Sequence, residues 1–151
     1  MKLRLLLLIE LLWWAITGVV VFAVLWPIWY AGVKWPFQGW NIVFIVALMT
    51  FARHIFLLQY TFIARKQVLK GALIIAMVPL AFICIAQMNS FMVFVEERTW
   101  DVLTGALPLK KKTALESYMW NEMLFFSVGT LISIPVLAAR LFLSIWKQHN
   151  R

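Results

Sequence analysis

Four long apolar blocks, parted by three short polar breaks, constrain this chain more than anything else in it. The blocks cover about residues 5–30, 37–64, 70–96 and 121–146 of 151. Each exceeds the ~20 residues that carry a helix across bilayer hydrocarbon. The sequence therefore predicts an all-α integral membrane protein, a four-helix bundle threaded up-down-up-down. Hydrophobic residues make up 64% of the chain, against about 45–50% in a soluble domain. The four blocks use most of the length, so residues 1–151 read as a single four-span domain.

The formal charge of +8 fits the flanks of membrane helices, where Lys and Arg fix orientation and meet anionic headgroups. Nucleic acid is not an expected partner, because only short loops present these charges. With the N-terminus in the cytoplasm, the inner flanks hold Lys2, Arg4, Arg65, Lys66, Lys70, Lys147 and Arg151. The outer flanks hold Lys34, Arg98, Lys110, Lys111 and Lys112. Seven against five places both termini in the cytoplasm. The opening Met-Lys-Leu-Arg and leucine run has the look of a signal peptide. However, Glu10 interrupts it, Trp13 and Trp14 follow, and no A-x-A site closes it. It reads as a retained first span. Trp26, Trp29, Tyr30, Trp35 and Trp40 gather at the first turn, and Trp100, Tyr118 and Trp120 at the third connection. Both groups fit the aromatic belts of a membrane interface.

The first two connections are short, which makes neighbouring helices antiparallel. The third is longer. The spacing of Phe94, Glu97, Arg98 and Asp101 predicts that the third helix continues to about Leu103, where Gly105 and Pro108 stop it. Thr113 and Glu116 form a T-x-x-E capping box, predicting a new helix from Ala114. The third and fourth helices would then extend beyond the membrane as a hairpin. Asp101, Lys110, Lys111 and Lys112 on it are candidate partner contacts. Pro79 and Pro135 fall inside spans three and four, where they shape packing or free a carbonyl.

Charge at bilayer depth costs about 2.5–3.5 kcal/mol on insertion scales, so ionised residues there face protein or water. Glu10, Arg53 with its neighbour His54, and Arg140 are such residues, all in the cytoplasmic half of their spans. Glu10 is expected to pair with Arg140, Arg53 or both. In the fourth span, Glu122, Gly129, Ser133, Arg140 and Ser144 follow spacings of 7, 4, 7 and 4. These offsets share a helical face that should point into protein, and Gly129 with Ser133 makes a small-xxx-small step. Such stripes either hold helices together or line a polar cavity.

Cys84 is the sole cysteine and lies within the third block. It excludes an intrachain disulfide and reads as a small core side chain. His54 is the only histidine inside a block, so a bis-His haem site is out of reach. No metalloprotease, nucleophile-elbow or phosphate-loop motif occurs, and no cofactor is expected. In general build alone the chain resembles small four-span proteins of bacterial inner membranes. The expectation is a non-catalytic multi-pass inner-membrane protein, an accessory or scaffold subunit of a larger membrane complex. Its expected partners are membrane lipids and either other membrane subunits or further copies of itself. The alternative is a small transporter or ion conduit centred on Arg53 and His54. A third reading is a lipid-binding protein that uses Arg65, Lys66 and Lys70.

Overall fold

The computed structural model describes residues 3–97 and 100–150. Among them all regular structure is helical: α1 Leu3–Tyr30, α2 Gln38–Phe56, α3 Gln67–Glu96, α4 Trp100–Thr104 and α5 Leu109–His149. Two short 3-10 turns, Leu58–Tyr60 and Phe62–Arg65, lie between α2 and α3. Four helices, α1, α2, α3 and α5, are long and apolar enough to cross a membrane. Lys2, Arg98 and Arg151, which entered the orientation count, lie outside the described residues.

The chain itself explains where each helix stops. Helix α1 ends in a glycine turn. Gly32 takes φ +69°, its N–H bonds Trp29 O at 3.0 Å, and Val33 N–H reaches back to Ile28 O at 3.4 Å. That is the Schellman arrangement, in which glycine meets the left-handed position without a Cβ clash. Helix α2 ends at Phe56, eight residues before the predicted boundary at 64. Leu57 N–H still closes on Arg53 O at 2.7 Å, but Thr61 turns to extended backbone (φ −105°, ψ 159°). The Thr61 hydroxyl bonds Leu58 O at 2.8 Å. This local alternative to the helical ladder is typical of threonine.

The third connection also departs from expectation. Helix α3 stops at Glu96 instead of running on to Leu103, and α4 is a separate short helix. Helix α5 starts at Leu109, five residues ahead of the expected Ala114. Pro108 supplies the entry with φ −57°, a value its ring already fixes. Thr113 is thereby drawn inside the helix, where its hydroxyl bonds Leu109 O at 3.0 Å. Glu116 accepts from Thr104 instead. The T-x-x-E capping box does not form, because an earlier start signal wins.

Helix α5 is the axis of the packing. It lies chiefly against α2 and α3, while α1 makes lighter contact with α2 and α5. Between α2 and α5 the paired numbers rise together: Asn41 with Glu122, Phe44 with Thr130, Thr50 and Leu137 about one cavity. Between α3 and α5 they run oppositely: Lys70 with Ser144, Phe91 with Trp120. The buried seam of α5 is Met119, Met123, Phe126, Thr130, Ile134, Leu137 and Leu141, stepping by three or four as a packed helix face does. The buried residues of α3 are Lys70, Met77, Cys84 and Phe91, a strict seven-residue repeat. Cys84 is thus a core side chain. Gly129 lets α2 and α5 approach: a Cβ there would stand 3.1 Å from Leu48 Cδ2. Helix α1 buries only Thr17, Leu25 and Ile28. It is tied down by Tyr118, whose hydroxyl donates to Val24 O at 2.6 Å.

Candidate functional site

Polar chemistry gathers at four places. The first is an ion pair between α1 and α2. Arg53 Nη1 donates to Glu10 Oε2. The Arg53 side chain is 4% exposed and that of Glu10 25%, so the guanidinium is enclosed and the carboxylate sits at its rim. Among the described residues Arg53 Nη2 has no hydrogen-bond partner. His54 turns away from this pair. Its Nδ1 donates to Thr50 O at 2.7 Å within α2, and its ring borders an apolar cavity of about 160 Å³ with Phe51, Leu73, Met77, Leu137 and Leu141.

The second place joins α2 to α5. Asn41 Nδ2 donates to Glu122 Oε1, and both residues are buried. The remaining oxygens, Asn41 Oδ1 and Glu122 Oε2, have no hydrogen-bond partner among the described residues. Two helical turns along α5, Thr130 donates to the Phe44 carbonyl at 3.0 Å. These contacts let the longest helix carry a carboxylate and a hydroxyl inside the packing, since a buried polar group without a partner costs about 1–3 kcal/mol.

The third is an aromatic end. Trp35, Phe37, Phe91, Phe94, Trp100 and Trp120 form one connected group of rings. Trp35 stacks on Trp100 at 5.9 Å, and Phe91 on Trp120 at 5.6 Å. Phe37 meets both Phe91 and Phe94 edge-on. Trp35 is 5% exposed, so it is a core residue rather than part of a belt facing outward. This group holds α4 down, and two polar bonds complete the brace: Thr104 to Glu116, and Lys112 to Asp101. Lys110 and Lys111 are exposed, as are Leu109 and Val102.

The fourth lies at the opposite end, where the 3-10 turns meet the last turns of α5. Arg65, Arg140, Lys147, Gln59, Ser144 and Gln148 line a cavity of about 320 Å³, and none of its lining residues is acidic. Behind this wall Lys70 is fully buried. Its ammonium donates to Ser144 Oγ at 2.8 Å and to Gln148 Oε1 at 3.1 Å. Gln148 in turn donates to Ala64 O at 3.0 Å, closing the turn onto α5.

Of the expected α5 stripe, Glu122 is buried, whereas Gly129, Ser133 and Ser144 are half-buried and Arg140 is exposed. The stripe flanks the apolar seam instead of forming it. Ser133 bonds its own helix at Gly129 O, 2.7 Å away. Arg140 is not drawn to Glu10; it belongs to the cavity at the basic end. Asn41 and Thr130 carry no expectation from the sequence. Lys70 enters there as a flanking charge and, with Arg65 and Lys66, as part of the lipid-binding reading, and its burial is not foreseen. The seven-residue step from Lys70 to Met77, Cys84 and Phe91 was the available signal.

The chain matches no family model, no curated protein and no solved structure, so its chemistry is read from its own residues.

Proposed function

We propose that this chain is a non-catalytic multi-pass inner-membrane protein, with both termini cytoplasmic and its four long helices threaded up-down-up-down. Its proposed role is that of an accessory or scaffold subunit in a larger membrane assembly. Four apolar helices support the membrane setting. In lipid, helices associate through close packing and interhelical hydrogen bonds rather than by escape from water. The cross-helix bonds of Asn41, Thr130, Lys70 and Tyr118 are of that kind.

The observation that carries the scaffold role is the braced hairpin of α4 and the start of α5. Stacked rings and two polar bonds hold it in one shape. At the same time it turns Val102 and Leu109 outward, 85% and 78% exposed, beside Lys110 and Lys111. A rigid protrusion of mixed apolar and basic character suits a partner surface, because little ordering entropy is lost on binding. The rival reading, a conduit centred on Arg53 and His54, receives less support. Arg53 is enclosed and ion-paired, and the His54 ring is bonded to its own helix.

The test is extraction into native lipid nanodiscs, followed by mass spectrometry of what stays bound. The wild-type chain should retain a distinct protein that is lost from a Leu109→Glu, Lys111→Glu variant of unchanged thermal stability. A chain that runs alone, or that keeps the same companions in the variant, would contradict the scaffold role. Flux through proteoliposomes that vanishes on Arg53→Ala would favour the conduit.

A further inference from the structure

We propose that the cavity between the 3-10 turns and the end of α5 binds a phosphate-bearing anion, and that the headgroup of an anionic phospholipid is its occupant. Three exposed cations, Arg65, Arg140 and Lys147, border one open hollow with no carboxylate among its walls. Its volume of about 320 Å³ falls at the lower end of the range of small-ligand sites, about 300–1,000 Å³. Two guanidiniums suit phosphate, since their planar forks donate pairs of hydrogen bonds to adjacent oxygens.

Lys70 supplies an independent reason. It is wholly buried, and both of its partners are neutral. Neither ion pair among the described residues includes it. A buried charge without a counter-ion is expensive unless compensated. The two groups that hold its ammonium, Ser144 and Gln148, are themselves walls of the cavity. An anion seated there would lie one side chain away from Lys70 and would offset all four positive charges together. The acidic residues offer no substitute. Glu10 is engaged with Arg53, and Glu116 and Glu122 are bonded at the opposite end.

The choice of lipid over free phosphate rests on position. Leu58 and Leu143 also border the cavity, and it opens where apolar helices end. A headgroup would enter there while its acyl chains lie along Leu143 and Phe142, both exposed. This site does not depend on the scaffold role, and loss of a partner at the hairpin would leave it intact.

The experiment is thermal unfolding of the detergent-solubilised full chain with one of three added probes: short-chain phosphatidylglycerol, inorganic phosphate or short-chain phosphatidylcholine. Phosphatidylglycerol at 100 times its dissociation constant should raise the melting temperature by several degrees, as mass action requires. The shift should disappear in Arg65→Gln, Arg140→Gln, be reduced in Arg140→Lys, which keeps the charge and loses the fork, and survive in Lys110→Gln, Lys111→Gln at the far end. A comparable shift with inorganic phosphate would support the anion site and make the free ion its occupant. Equal shifts from phosphatidylcholine and phosphatidylglycerol, or no shift from either anion, would overturn the proposal. So would a phosphatidylglycerol shift that persists without both arginines. Should Arg65→Gln, Arg140→Gln fail to fold, Lys147→Gln is the substitute, with a reduced shift expected and an unchanged one counting against the site.

Discussion

The two ends of this molecule solve the problem of charge in opposite ways. At the aromatic end, rings and charges largely find complements within the chain. Six rings pack on one another, Lys112 meets Asp101, Thr104 meets Glu116, and Asn41 meets Glu122. At the basic end, Arg65, Lys70, Arg140 and Lys147 gather with no carboxylate. Five of the six acidic residues of the chain, Glu96, Glu97, Asp101, Glu116 and Glu122, belong to the aromatic end. One end joins opposite charges and packed rings, and the other carries a surplus of positive charge that no neighbouring carboxylate balances. Substitutions should therefore have opposite signs at the two ends.

The largest effect is expected from Trp35→Ala. It empties the middle of the ring group, and a buried Trp→Ala change typically costs about 3–5 kcal/mol. Amide hydrogen exchange should report early opening of α4 and of the start of α5. Exchange confined to the basic end would break the comparison. Glu10→Ala comes next. It leaves the Arg53 guanidinium enclosed without its counter-ion, a loss of about 3 kcal/mol, measurable as a lowered detergent melting temperature. Much of that loss should return in Glu10→Ala, Arg53→Leu.

Asn41→Leu should cost about 2 kcal/mol, because it strands the Glu122 carboxyl inside the packing. Glu122→Gln should be neutral or mildly stabilising by the same assay, since its amide nitrogen takes the place of Oε2 and can donate to Asn41 Oδ1, which lacks a donor. Lys70→Met sharpens the contrast by reversing the sign. In detergent free of anionic lipid, removing that charge, which has no counter-ion, should raise the melting temperature. A clear loss instead would mean that the bonds to Ser144 and Gln148 outweigh the cost of burial. Lys112→Ala should matter least, with little or no change in melting temperature, because its pair with Asp101 is exposed.

The long helices were legible because uninterrupted apolar length is a coarse signal that packing does not overrule. The end of α1 was legible too, since the first apolar block closes at residue 30, where the helix stops. What failed was local competition. Thr61 ended α2 through its own hydroxyl, and Pro108 started α5 before Thr113 could cap it. Spacing placed Glu10 and Arg53 within reach of one another, but it also offered Arg140, which the bundle turns the other way. Sequence periodicity aligned Glu122, Gly129 and Ser144 on one face. It did not show that the apolar seam one residue over would take the centre. The partner of Glu122, Asn41, is 81 positions away on a helix with no polar stripe pointing to it, so only the packing of α2 on α5 reveals it.

Cys84 gives the molecule a concealed reporter. Its thiol is 1% exposed, midway along the α3 repeat that faces α5, and no second thiol exists to confuse it. A maleimide in the surrounding solution should find nothing to modify until α3 and α5 part. The native protein is thus equipped for measuring how often its interior opens, and any cysteine placed on its surface can be tagged against a silent background.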